Sequence, residues 1–239
     1  MIKTDFNKYI AQLSIDSVIF GYQEKQLKVL ASKFAFEGGY YGLPGGFVLQ
    51  NESLDQAALR ILKERTGLTN IYLEQYFTFG SESRANNELF DQVKGVGNEE
   101  NIIFNSEDLA WLSRRFVSVG YYALVGVRKV NPQKSELDES IGWYAVKELP
   151  NLIMDHSEMV TKALESLREK LDQKLTGFNL LPETFTMREV QELYEAVYDK
   201  PFARNNFQKK MLDLNVLERL EKKFTGAANK APYLYRFRR

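Results

Sequence analysis

Residues 40–68, YYGLPGGFVLQNESLDQAALRILKERTGL, constrain this chain more than any other stretch. A glycine pair, Gly45 and Gly46, opens a loop that leads into a helix, and Gly67 ends it. Ser53 and Gln56 have the spacing of a capping box, with Asn51 as the other candidate cap. Leu54, Ala57, Ala58, Ile61 and Leu62 recur at helical spacing and predict an apolar stripe. Glu52, Arg60 and Glu64 lie off that stripe, and Arg60 with Glu64 forms an i,i+4 pair.

Around this helix the pattern is strand-like. Leu13 to Tyr22 reads as a strand with one acidic residue, Asp16, inside an apolar run, and Leu27 to Lys33 alternates as its hairpin partner. Ile71 to Phe79 and Phe116 to Val127 are further strands, and Trp143 to Val146 is the last short one. Between Ser83 and Arg115 periodicity is lost. A long loop is expected there, with a short capped helix at residues 106–112. Its role is open between a lid, a dimer contact and plain variation. Arg84 and Arg115 flank the loop; a place at a ligand pocket is one reading, surface charge the more ordinary one.

With 239 residues the chain has room for one large domain or two smaller ones. It contains no cysteine, which excludes disulfides, a thiol nucleophile and a zinc finger. No apolar run approaches a transmembrane span, and the first residues, MIKTDFNKYIAQ, lack the apolar core of a signal peptide, so a cytoplasmic protein is expected. Net charge is zero, but residues 200–239 hold 11 Lys and Arg against 3 Asp and Glu. That surplus of basic charge directs attention to nucleic acid in the last fifth of the chain; a solvated basic tail is the alternative.

Asp155 to Leu175 predicts a helix with Met159, Ala163, Leu167 and Leu171 inward. His156 is the only histidine, so a capping or structural role is expected rather than metal binding. Residues 177–182, GFNLLP, read as a short linker. Thr186 and Glu189 form a second capping box for a helix to Tyr198, whose inner face is Val190, Leu193, Tyr194 and Val197. After a turn at Asp199-Lys200-Pro201, Arg204 to Leu214 predicts another helix, with Phe207, Met211 and Leu214 inward and Asn205, Asn206, Lys209 and Asp213 on the opposite side. Val216 to Phe224 and the alternating Pro232 to Arg238 complete a basic hairpin. Two helices and such a hairpin make a winged helix-turn-helix, its second helix in the major groove.

The 40–68 stretch resembles the Nudix box, the signature of enzymes that hydrolyse nucleoside diphosphates linked to another group. Gly46, Glu52, Arg60, Leu62, Glu64, Gly67 and Leu68 match with the spacing intact. The form LPGGFV is that of ADP-ribose-type members. The resemblance implies three metal-binding carboxylates at i, i+3 and i+4, but here those positions hold Ile61, Glu64 and Arg65. Hard Mg²⁺ needs several oxygens and does not accept an arginine. The expectation is a non-enzyme with no catalytic residue, no cofactor and no bound metal.

The full chain resembles the Nudix-related transcriptional regulators. The fold expected is α+β: a Nudix-fold mixed-sheet α/β/α sandwich followed by a winged helix-turn-helix. Residues 1–154 would sense an effector, 155–178 form a linker helix, and 179–239 bind DNA. The resemblance implies a small effector, either a pentose such as L-arabinose, toward which the sequence leans, or an ADP-ribose-like sugar nucleotide. Candidate effector contacts are Asp16, Lys33, Arg60, Glu64, Arg65 and Arg84, although Arg60 and Glu52 more readily buttress the box loop. Arg65 either holds an anionic ligand in place of the metal or is a plain surface charge.

The recognition-helix pattern of that family is matched at Asn206, Phe207 and Lys209, with Asn205 and Gln208 where arginines are usual. Asn205, Asn206, Gln208 and Lys209 are candidates for base edges, since asparagine and glutamine pair with adenine. Arg204, Lys210, Lys222, Lys223 and Lys230 are phosphate candidates. The partner would be a palindromic double-stranded operator read by a homodimer. The alternative function is a Nudix hydrolase of ADP-ribose or a related nucleoside diphosphate derivative, and a pure interaction module is the third.

Overall fold

The computed structural model describes residues 5–35, 38–69, 71–84, 106–171, 180–223 and 231–238. Most of the loop expected between Ser83 and Arg115, the linker residues 177–179 and Lys230 lie outside the described residues. In chain order the elements are β1 (Tyr9–Gln23), β2 (Gln26–Phe34), β3 (Tyr41–Gly42), β4 (Gly45–Leu49), α1 (Leu54–Thr66) and β5 (Leu73–Phe79). There follow α2 (Ser106–Leu112), β6 (Val117–Val125), β7 (Asp138–Ala145) and α3 (His156–Leu171). The chain then forms β8 (Phe185–Thr186), α4 (Met187–Tyr198), α5 (Arg204–Asp213), β9 (Leu217–Lys222) and β10 (Tyr233–Phe237).

Strands β1 to β7 make one mixed sheet, with the order β3-β2-β1-β6-β5, β4 paired to β1 and β7 to β2. Its spine is the parallel pair β1–β6, in register from Leu13 opposite Val117 to Gly21 opposite Val125. A parallel pair covered on both faces reads as a continuous apolar run, and residues 15–21 of β1 and 118–125 of β6 are all buried. Alternation then divides the side chains. Ile15 packs with Val48, Ala57, Ala58 and Ile61 under α1, while Val18 and Phe20 pack with Met159, Ala163 and Leu167 under α3. The α/β/α sandwich follows from those two faces.

Local chemistry sets the helix ends. Ser53 caps α1 in a full capping box with Gln56, and Gly67 ends it at φ 71°. Thr186 caps α4 in a second box with Glu189. Beyond α3 the chain forms a winged helix: α4, α5 and the sheet β8-β10-β9. The turn between the helices is fixed from α4, where Gln191 donates to the Phe202 carbonyl and Glu195 accepts from the Phe202 amide. Phe207 and Met211 bury α5 against this unit, while Leu214 is only half-buried.

Three expectations are corrected. The last strand of the large sheet begins at Asp138, not Trp143, because Lys28 to Phe34 of β2 offer it a full antiparallel partner. Phe185 and Thr186 form a strand as well as a cap, since β10 pairs with them through Leu234 and Tyr235. Arg84 is not surface charge: its side chain is 3% exposed and its guanidinium lies 2.8 Å from Asp155.

Candidate functional site

On the α1 face, Glu52 accepts from Arg60 Nε at 3.0 Å and from the Leu49 amide at 2.8 Å. Arg60 also donates to the Phe47 carbonyl at 2.8 Å. The pair therefore clamps β4 to the helix. The bond to Arg60 holds the Glu52 carboxyl below its usual range. Glu64 is exposed and receives a longer contact, 3.3 Å, from Arg60 Nη1.

Arg65 is buried, not a surface residue. Its Nη2 donates to Asp138 Oδ2 at 2.5 Å and to Ser32 Oγ at 2.6 Å, and Asp138 also accepts from the Ser135 amide. The positive charge is committed to an internal carboxylate, which argues against its holding a ligand anion. Ile61, 1% exposed, lies in the core with Ile15 and Val119. A divalent ion does not fit this helix: one of the three positions is apolar core and one is an internally paired cation. Among the described residues no three His, Cys, Asp or Glu side chains converge as a metal site.

The other predicted residues fall elsewhere. Lys33 sits near the sheet edge, 2.6 Å from Glu139, which raises its pKa. Asp16 points away from α1 and lies beneath α3. It accepts from Ser118 Oγ at 2.5 Å and lies 3.8 Å from His156 Nε2 and 3.9 Å from Arg84. Arg84 donates to the carbonyls of Phe79 and Phe116. His156 accepts the Leu43 amide proton on Nδ1 at 3.0 Å. Burial holds its pKa below the usual 6.5, against the opposing pull of Asp16 and Asp155. Asp16 and Arg84 are thus brought together, but apart from the box charges.

Sequence reasoning missed an aromatic group beside β4. Phe47 lies 4.9 Å from Trp111 and 5.5 Å from Phe116, and Phe6 stacks on Trp111 at 4.4 Å. All four rings are half-buried next to the Arg60–Glu52 clamp, an apolar cluster whose rings meet mostly edge-to-face. The only sequence signal was the pair Trp111 and Phe116 at the end of the long loop.

In the winged helix, Asn205, Asn206 and Lys209 are exposed on one side of α5, together with Asp213. Gln208 is half-buried and, with Arg204, lines a cleft of about 1150 Å³ between the β1–β2 hairpin, α3 and the winged helix. Lys210 turns inward, its ammonium 5.5 Å from the Tyr194 ring. On the wing, Lys222 and Lys223 are exposed; Lys222 lies 5.4 Å from the Tyr233 ring and Lys223 3.9 Å from Glu189.

The fold and these two surfaces define a Nudix-fold domain carrying a C-terminal winged helix. The chain belongs to the NUDIX domain family, which matches residues 12–163, and residues 177–237 match the NrtR DNA-binding winged helix domain. It is 27% identical over 232 residues to the ADPR responsive transcriptional repressor NtrR of Acinetobacter baylyi, spanning 94% of this chain and 81% of that one. The crystal structure of Shewanella oneidensis NrtR complexed with a 27mer DNA is similar at TM-score 0.69 and 27% identity, over 95% of this chain and 94% of that one. A MutT/nudix family protein from Enterococcus faecalis, at TM-score 0.67 and 21% identity, covers 96% of this chain and 87% of its own, and shows the shared fold alone.

Proposed function

We propose that this chain is a DNA-binding transcriptional repressor whose Nudix domain takes up ADP-ribose or a close sugar nucleotide and thereby alters operator binding. The observation that carries the DNA half is α5: Asn205, Asn206 and Lys209 stand free on one exposed face of a helix backed by a basic hairpin. The effector class rests on the similarity to the ADPR responsive repressor of Acinetobacter baylyi, which extends over nearly the whole chain. The Acinetobacter baylyi repressor responds to ADPR rather than a pentose, so L-arabinose becomes a control ligand.

In this reading residues 1–154 bind effector, 155–178 link, and 179–239 bind DNA as a homodimer on a palindromic operator, because one recognition helix reads only a half-site. The box has lost its catalytic carboxylates at Ile61 and Arg65, so binding proceeds without hydrolysis. Asn205, Asn206 and Lys209 are the base-edge set, with Gln208 at its border; Arg204, Lys222 and Lys223 hold phosphate.

Fluorescence anisotropy on the DNA upstream of the chain's own operon tests this, across a salt series with ADP-ribose or L-arabinose added. Salt-steep binding that ADP-ribose changes and L-arabinose does not is the expected result. Mg²⁺-dependent turnover of ADP-ribose without specific DNA binding would replace the repressor by a hydrolase.

A further inference from the structure

We propose that His156 is a positioning residue that couples the box loop to the helix carrying the winged helix, so that effector occupancy is transmitted through its bond to Leu43. The proposal rests on the repressor reading above. Residues 43–49 are gripped at both ends. At the far end Arg60 holds the Phe47 carbonyl and Glu52 holds the Leu49 amide. At the near end the Leu43 amide donates to His156, the first residue of α3.

Between these grips the strand has little freedom. Gly45 lies against Asp16 so closely that a Cβ there would stand 2.3 Å from Oδ1. A ligand that displaces Phe47 or the box loop therefore moves Leu43 as well. A second backbone tie, Ile153 N to Tyr41 O at 2.8 Å, keeps the start of α3 on the same segment.

The start of α3 holds two buried polar atoms without an aligned hydrogen bond. Arg84 Nε lies 2.8 Å from Asp155 Oδ2, yet it makes no aligned hydrogen bond, and Asp155 Oδ1 has no hydrogen-bond partner among the described residues. In the proposed coupling a rotation of the helix start re-aims these two groups. At its other end α3 is fixed to the winged helix: Arg168 Nε donates to the Val197 carbonyl and Tyr198 Oη to the Arg168 carbonyl, each at 2.8 Å. Rotation of α3 thus carries α4 and the reading helix behind it. His156 touches neither DNA nor effector and acts through Leu43. Such coupling needs an element with two arrangements that both sites bias, and the proposal assigns that part to the Asp16–Arg84–Asp155–His156 cluster.

The test uses full-length wild type, His156→Ala and His156→Gln. Calorimetry gives ADP-ribose affinity, and anisotropy gives operator affinity with and without saturating ADP-ribose. In wild type the effector should change operator affinity by about 5- to 150-fold. His156→Ala should bind ADP-ribose within about threefold of wild type while its operator response falls below about threefold, a loss of most of that coupling. His156→Gln, whose amide oxygen can accept the Leu43 proton, should recover much of the response.

An undiminished response in His156→Ala overturns the coupling role alone. A wild type that binds DNA but ignores ADP-ribose overturns the repressor reading and this proposal with it. Amide exchange of wild-type residues 41–47 gives a readout free of any folding defect in the variants: protection there should change on adding ADP-ribose, and unchanged protection overturns the proposal.

Discussion

Asp138 Oδ2 receives Arg65 Nη2 at 2.5 Å, with the Asp138 side chain 1% exposed and the Arg65 side chain 11% exposed. The pair joins α1 to β7 across β2 and occupies a box position that in hydrolases holds a carboxylate. Removing the arginine leaves a buried charge whose remaining partners among the described residues are Ser32 and the Ser135 amide. Arg65→Ala should therefore destabilise the fold by about 3–5 kcal/mol, near the lower end because those two partners remain. Urea unfolding followed by circular dichroism measures it; a loss under about 1 kcal/mol would contradict the role given to the pair.

Rebuilding the box should fail to make an enzyme. In Ile61→Glu/Arg65→Glu the first new carboxylate enters a packed core and the second faces Asp138. The variant should be strongly destabilised or insoluble and show no Mg²⁺-dependent turnover of ADP-ribose, read by solubility and by chromatographic detection of AMP and ribose 5-phosphate.

His156 should contribute an acid-sensitive share of stability. Its folded pKa lies below the usual 6.5, chiefly through burial. The unfolded chain therefore takes up the proton first as pH falls. The contribution is complete above about pH 6.5 and is lost as pH drops toward the folded pKa. Thermal midpoints from pH 8 to 5 should fall less steeply in His156→Gln than in wild type; parallel curves would contradict the assignment.

On α5 the exposed and inward-turned cations should behave differently. Arg204→Ala, at an exposed phosphate candidate on α5, should weaken operator binding across all sequences and lower the salt slope by about 1. Asn206→Ala should cost about 1–3 kcal/mol on the matched operator and less on mismatched DNA. Lys210→Ala, which loses a contact over Tyr194 rather than an exposed charge, should change the salt slope less than Arg204→Ala does.

Thr186 has two tasks, the α4 cap and a β10 partner. Thr186→Ala should cost about 0.5–2 kcal/mol from the cap alone, with the upper part of that range expected from the extra pairing. Thermal unfolding of Thr186→Ala beside Thr186→Ser separates them, since serine restores the cap.

What the sequence disclosed was what short-range chemistry decides. Ser53, Gln56 and Gly67 mark both ends of α1, and Thr186 and Glu189 mark the start of α4, because caps involve residues a few positions apart. The strand run of β1 and β6 was legible from apolar content alone. What escaped depended on partners far along the chain. Strand β8 is two residues long and exists only because β10 pairs with it. The polar start of β7, where Glu139 and Ser140 are exposed, carries no apolar signal. Arg65 and Asp138 are 73 residues apart, and His156 and Leu43 are 113 apart. Such separations leave no periodic trace, so Arg65 and Arg84 were open to being read as surface charge.

One feature of the packing bears on how the molecule comes apart. Val18, Phe20 and Tyr122 of the large sheet, Met159 and Leu167 of α3, and Val190, Tyr194 and Phe207 of the winged helix belong to one continuous apolar cluster. The winged helix has no dry interior that stops at the linker helix, and the Nudix half shares this cluster while keeping a further core under α1. Heating should then give one endotherm, with calorimetric and van't Hoff enthalpies in agreement. A lesion deep in the Nudix half would silence the DNA-reading half by melting it, whatever became of the effector.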